Sequence, residues 1–158
     1  MKKRTLPIIF AAASFAWALF IFSNSLQTGE NSGEMSGSVT ELINGVLGSI
    51  SPYFEVTHRF VRKAAHFGEF AVLGILICFG IYFFARGKYQ RRELVCFFAV
   101  PIATAVALCD EFIQLFVDGR GGSWLDVLID TSGASAAALV FFGITMLIKL
   151  YKEKRTKI

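Results

Sequence analysis

The sequence predicts an all-α integral membrane protein, a four-helix transmembrane bundle with a short helix on its outer surface, and three observations carry that prediction. Hydrophobic residues make up 54% of the 158-residue chain and 17 of them are phenylalanine, too apolar a composition for an ordinary soluble domain. Four stretches, near 6–26, 64–85, 94–117 and 127–150, reach the roughly 20 apolar residues that cross a bilayer. They leave no room for a separate soluble domain, so 1–158 reads as one transmembrane domain. Finally, the net charge of +4 is gathered in short blocks flanking these stretches: Lys2, Lys3 and Arg4; Arg86, Lys88, Arg91 and Arg92; and Lys149, Lys152, Lys154, Arg155 and Lys157. Basic flanks of this kind set topology, so both termini are expected in the cytoplasm and residues 27–63 outside. The same distribution argues against a nucleic-acid partner and for membrane lipids.

The first span follows its basic block and continues through Trp17 to Phe22, longer than the roughly 7–15 residues of a signal core, which favours a retained anchor. It closes on Ser23-Asn24-Ser25. Residues 27–38, rich in Gly, Ser, Asn and Glu, read as an exposed outer loop. Ser38 and Glu41 then have capping-box spacing, and Val39, Leu42, Ile43, Val46 and Leu47 recur at helical intervals, predicting the short surface helix, ended by Ser51-Pro52.

From about Phe54 a second helix is expected to run into the membrane, with Arg62, His66 and Glu69 at i, i+4 and i+7 on one face and Lys63 three residues before His66. The third span contains Pro101, which predicts a kink. Its end carries Asp110, Glu111 and Gln114 within about one turn. A glycine-rich turn from Asp118 to Gly122 leads to Ser123, placed to cap the last helix with Asp126 at its third position. Asp126, Asp130 and Gly133 follow at i, i+4 and i+7, and Gly133 with Ala137 offers a seam for a close helix neighbour. Cys78, Cys96 and Cys109 have no paired spacing, so neither a disulfide framework nor a thiolate metal site is indicated.

Charges in or near hydrocarbon cost several kcal/mol unless paired or hydrated, and here they gather at one end of three spans. The candidate site is therefore Arg62, Lys63, His66, Glu69, Asp110, Glu111, Gln114, Arg120, Asp126 and Asp130. Three chemistries remain open at this level. The bases and acids could balance almost charge for charge in a network that pins the bundle. Alternatively, Arg62, Lys63 and Arg120 could meet an anionic headgroup while the carboxylates and Gln114 orient it. Or Glu69, Asp110, Glu111, Asp126, Asp130 and His66 could supply acid and base groups, or hold Mg²⁺ or Mn²⁺, for work on a lipid-linked phosphate or acyl substrate. His66-x-x-Glu69 is not a metal motif of established spacing, so no metal site and no cofactor are assigned from sequence. His66 is the one member whose ordinary titration falls near neutrality.

These residues resemble the VanZ-like family of membrane proteins, named for a protein associated with resistance to the glycopeptide teicoplanin. The resemblance covers nearly the whole chain. Its most specific part is Asp110-Glu111 followed by Gln114, Arg120, Asp126, Asp130 and Gly133; Lys63-Ala-Ala-His66 leading to Glu69 and Leu73 adds to it, and Ser23 to Ser25 is a weaker match. Position 130 is Asp where many members carry Asn. The resemblance implies a role in cell-envelope defence at a bacterial plasma membrane, with a teicoplanin-type drug or a lipid-linked wall precursor as candidate partner. It names a phenotype and leaves open whether the protein is an enzyme.

Overall fold

A computed structural model describes residues 5–50, 53, 55–86, 88, 91 and 93–156. Among them five α-helices follow one another, without strands: α1 (Thr5–Ser25), α2 (Gly29–Ile50), α3 (His58–Phe84), α4 (Ala99–Gln114, entered through a 3-10 segment, Leu94–Phe98) and α5 (Trp124–Thr156). The helices α1, α3, α5 and the 3-10 segment with α4 are each long and apolar enough to cross a membrane. The chain is thus an all-α, multi-pass membrane bundle. Lys2, Lys3, Arg4, Ser51, Pro52, Phe54, Arg92 and Lys157, which entered the sequence reading, lie outside the described residues.

The hub is α3, which touches α1, α2, α4 and α5. Small residues let it come close to α5. A Cβ on Gly133 would run into the backbone carbonyl of Phe67, and one on Gly74 would lie 3.0 Å from the Cα of Ala134 and 3.2 Å from the Ala137 side chain. On the other side α1 packs through Phe10, stacked on Phe79 at 5.0 Å and Phe83 at 5.7 Å between ring centroids. The buried face of α4 is a ladder of Ala99, Ala103 and Ala107, and the same face continues as Asp110, Glu111 and Gln114. Helical periodicity therefore puts the acids on the inward stripe, in line with the core rather than toward lipid. On α5 the matching stripe runs Asp130, Gly133, Ala134, Ala137, Ala138, Phe141. Large apolar side chains such as Phe15, Leu139 and Leu147 are more than half exposed at the outer surface of the bundle, at 67, 59 and 68%. That is a liability in water and the natural state of a lipid-facing surface.

Two local expectations are corrected. The helix expected from Ser38 is not short and begins earlier: α2 starts at Gly29 and absorbs most of the stretch read as a loop. Polar side chains that usually compete with a helix here bond within it, the hydroxyls of Ser36, Ser38 and Thr40 each donating to the carbonyl four residues back. The start of α3 is His58, not the region of Phe54, with the Thr57 hydroxyl accepting from the Phe60 N–H at 3.2 Å as its cap. Pro101 lies three residues into α4, just after the 3-10 segment gives way to α-helix at Phe98, within the continuous helical stretch Leu94–Gln114.

Among the described residues, two hydrogen-bonded ties hold α2 against the bundle. Asn44 brackets the Val56 peptide, accepting from its N–H at 2.8 Å and donating to its carbonyl at 3.0 Å. At the other end the Gly29 N–H donates to the Asp118 carbonyl at 2.9 Å, and Gly119 beside it takes a positive φ of 73°. A Cβ on Gly29 would collide with the Gly119 carbonyl, so the approach requires glycine.

Candidate functional site

The C-terminal ends of α1 and α4 and the N-terminal ends of α3 and α5 meet at one end of the bundle, and all ten residues singled out from sequence lie there. The structure sorts them into three groups.

The first group lines a cavity of about 210 Å³ between α1, α2, α3 and the turn before α5; it includes Arg62, His66, Glu69 and Arg120, together with Asn24, Ser25, Gln27 and the α2 residues Ser32, Met35, Ser36 and Val39. Glu69 is anchored from α1 by the Asn24 amide, which donates to its Oε1 at 2.9 Å. Arg120 reaches across the cavity mouth to donate from Nη2 to the Asn24 carbonyl at 3.1 Å, while its Nε is buried with no hydrogen-bond partner. Burial, and then the charge of Arg62 nearby, lower the Arg120 guanidinium below its ordinary value, and the carboxylates of Asp110, Glu111 and Glu69 act the other way. Arginine stays charged throughout the accessible pH range even so.

The second group lies deeper. Asp110, Gln114 and Asp130 are fully buried, at 0% exposure, and Glu111 nearly so. The Gln114 amide nitrogen sits 3.0 Å from Asp110 Oδ2, 3.2 Å from Ser25 Oγ and 3.5 Å from Glu111 Oε1, which fixes the α4 pair against α1. Glu111 spends its other oxygen on the backbone, accepting from the Ser123 N–H at 2.6 Å just ahead of α5. His66 Nδ1 approaches Asp130 Oδ1 to 3.6 Å, too far for a hydrogen bond. Asp130 Oδ1 and Oδ2, Asp110 Oδ1 and His66 Nδ1 are all buried without a hydrogen-bond partner.

The third group is a rim pair, Lys63 and Asp126, 3.4 Å apart and partly exposed. Lys63 therefore turns from the face shared by Arg62, His66 and Glu69 toward α5 and does not line the cavity. A charge-for-charge network is not what forms. Among the described residues at this end, the ion-pair distances are those of Lys63 with Asp126 and His66 with Asp130. Neither arginine of the cavity has a carboxylate within that distance.

Sequence reasoning passed over Trp17 and underweighted Asn24 and Ser25. Trp17 donates its indole N–H to the Glu69 carbonyl at 2.9 Å, so α1 holds both the backbone and the side chain of that residue. The available signal was position: Trp17, Asn24 and Ser25 fall at i, i+7 and i+8 on one face. Ser123 acts through its backbone, its carbonyl accepting from the N–H groups of Asp126 and Val127 at the start of α5.

Comparison with known proteins adds one match. Neither the curated proteins nor the solved structures contain a match to this chain. The family model VanZ/LLP1 matches residues 10–148, from within α1 to within α5, and so takes in every residue of the site. By that match, on a bundle of four membrane-length helices, the chain belongs to the VanZ/LLP1 family.

Proposed function

We propose that the protein is a cell-envelope component of a bacterial plasma membrane, with both termini in the cytoplasm, whose cavity takes the anionic headgroup of a lipid-linked wall precursor at the outer leaflet. The observation that carries this is the pair of guanidiniums, Arg62 and Arg120, on one partly buried cavity without a carboxylate at ion-pair distance. Two like charges held together in a poorly solvated place repel unless an anion joins them, and arginine's planar fork suits phosphate oxygens. Size bears on the choice of ligand. At about 210 Å³ the cavity suits a headgroup of one or two phosphates rather than a whole glycopeptide. The family's association with teicoplanin resistance fits a protein that handles the precursor through which such drugs act. Asn24, Ser25 and Glu69 supply polar groups to orient the bound headgroup.

The test is equilibrium binding of a polyprenyl phosphate to the purified protein in lipid nanodiscs. Arg120→Ala should weaken binding about tenfold or more, the worth of a hydrogen bond to a charged group. Lys63→Ala, already engaged with Asp126, should change it by less than about threefold. Equal affinity in wild type and Arg120→Ala sinks the proposal, and tight binding of teicoplanin in place of the polyprenyl phosphate would move the ligand to the drug itself.

A further inference from the structure

Behind the cavity wall, side chains from three different helices converge: His66 of α3, Asp110 of α4 and Asp130 of α5. One ligand atom from each lies within 4.8 Å of the other two. Neighbouring ligands of a single ion, each about 2.0–2.3 Å from it, stand about 2.8–3.8 Å apart; His66 Nδ1 and Asp130 Oδ1 are already 3.6 Å apart, and the third ligand would close on them by roughly 1–2 Å at most. Within the trio Asp130 Oδ1 and Oδ2, Asp110 Oδ1 and His66 Nδ1 are buried without a hydrogen-bond partner, with both aspartates at 0% exposure. Gln114 holds the other Asp110 oxygen at 3.0 Å. Outer contacts of this kind are what hold metal ligands in place.

The charge balance points the same way. Asp130 is buried with no hydrogen bond and Asp110 with one, from Gln114, and a buried carboxylate costs several kcal/mol unless neutralised. Among the described residues neither aspartate has a lysine or arginine at ion-pair distance: Lys63 meets Asp126, while Arg62 and Arg120 line the cavity. A divalent ion with a neutral imidazole would bring the trio to zero net charge. We infer that His66, Asp110 and Asp130 form a divalent metal site, one nitrogen and two carboxylate ligands, directly behind the cavity that His66 lines. This donor set suits a first-row ion such as Mn²⁺ or Zn²⁺, whereas Ca²⁺ takes six to eight oxygens. The inference rests on the trio's own geometry and stands apart from the headgroup proposal.

The experiment uses the full chain in detergent, stripped with a chelator and titrated with Mn²⁺ alone, free Mn²⁺ being followed by its electron paramagnetic resonance signal. The wild type should bind about one Mn²⁺ per chain, with Zn²⁺ displacing it. Asp130→Asn should weaken binding by more than about 100-fold, since loss of an outer contact alone costs about 10–100-fold. Asp126→Asn should bind as the wild type does. Pulsed measurements on the bound ion in wild type should show modulation from a ¹⁴N nucleus, which reads His66 even if the Asp130 variant fails to fold. Absence of one saturable ion in the wild type, unchanged affinity in Asp130→Asn, equal loss in Asp126→Asn, or a bound ion without nitrogen modulation would each overturn the assignment. No lipid is present in this titration, so its failure leaves the headgroup proposal standing, and failure of the polyprenyl phosphate to bind leaves this one.

Discussion

At the scale of single residues, the acids at this end of the bundle divide by what their oxygens touch. Glu111 is committed to structure, because it accepts from the Ser123 N–H at 2.6 Å at the point where the chain turns into α5. Replacing it by alanine leaves a partly buried N–H without its acceptor, a loss of about 1–3 kcal/mol. Glu111→Ala should therefore lower the thermal midpoint in detergent while Glu111→Gln, which keeps an acceptor oxygen, recovers most of it; identical midpoints for the two variants would exclude the backbone role. Asp130 and Asp110, by contrast, keep oxygens without a hydrogen-bond partner among the described residues. Arg120→Ala belongs to the same scale, and its expected effect is on ligand affinity.

At the scale of helices, the close crossing of α3 and α5 sets how far apart His66 and Asp130 can stand. Gly133 faces the Phe67 carbonyl with no room for a Cβ, while Gly143 on the same helix has nothing within 4 Å of that position. Gly133→Ala should cost about 1–3 kcal/mol through forced separation of the two backbones. Gly143→Ala should be neutral or stabilising by up to about 1 kcal/mol, from helix propensity alone. Unfolding midpoints of the pair decide it, and a Gly133→Ala protein as stable as Gly143→Ala would mean that the crossing is looser than described. The seam itself was legible, since small residues at i and i+4 announce a close neighbour. The reach of α2 was not. Its glycine, serine and asparagine content argues for a loop, and the side-chain bonds that reconcile it with a helix show only once the chain is folded.

At the scale of the whole molecule, composition and hydropathy made the four spans legible, and charge at one end of three spans made the site's location legible. What stayed hidden was its partition. Spacing places Arg62, His66 and Glu69 on one face, but the rotation of α3 against α5 decides that Lys63 meets Asp126 instead of the cavity. Which helix supplies the partner for Glu69 depends likewise on the crossing of α1 and α3, and no local pattern encodes that. Orientation across the membrane is a separate matter, carried by the basic flanks. In a background free of Cys78, Cys96 and Cys109, Gly121→Cys should react with a membrane-impermeant maleimide in intact cells and Lys154→Cys only after permeabilisation. The reverse pattern would place the cavity on the cytoplasmic side.

The double grip of α1 on Glu69, by the Trp17 indole on its carbonyl and the Asn24 amide on its side chain, means that the first helix is more than a tether. A version of the chain shortened by that helix could still thread the bilayer three times. It would do so with one wall of its chamber missing and an acid left facing hydrocarbon, so insertion and competence should come apart in such a protein.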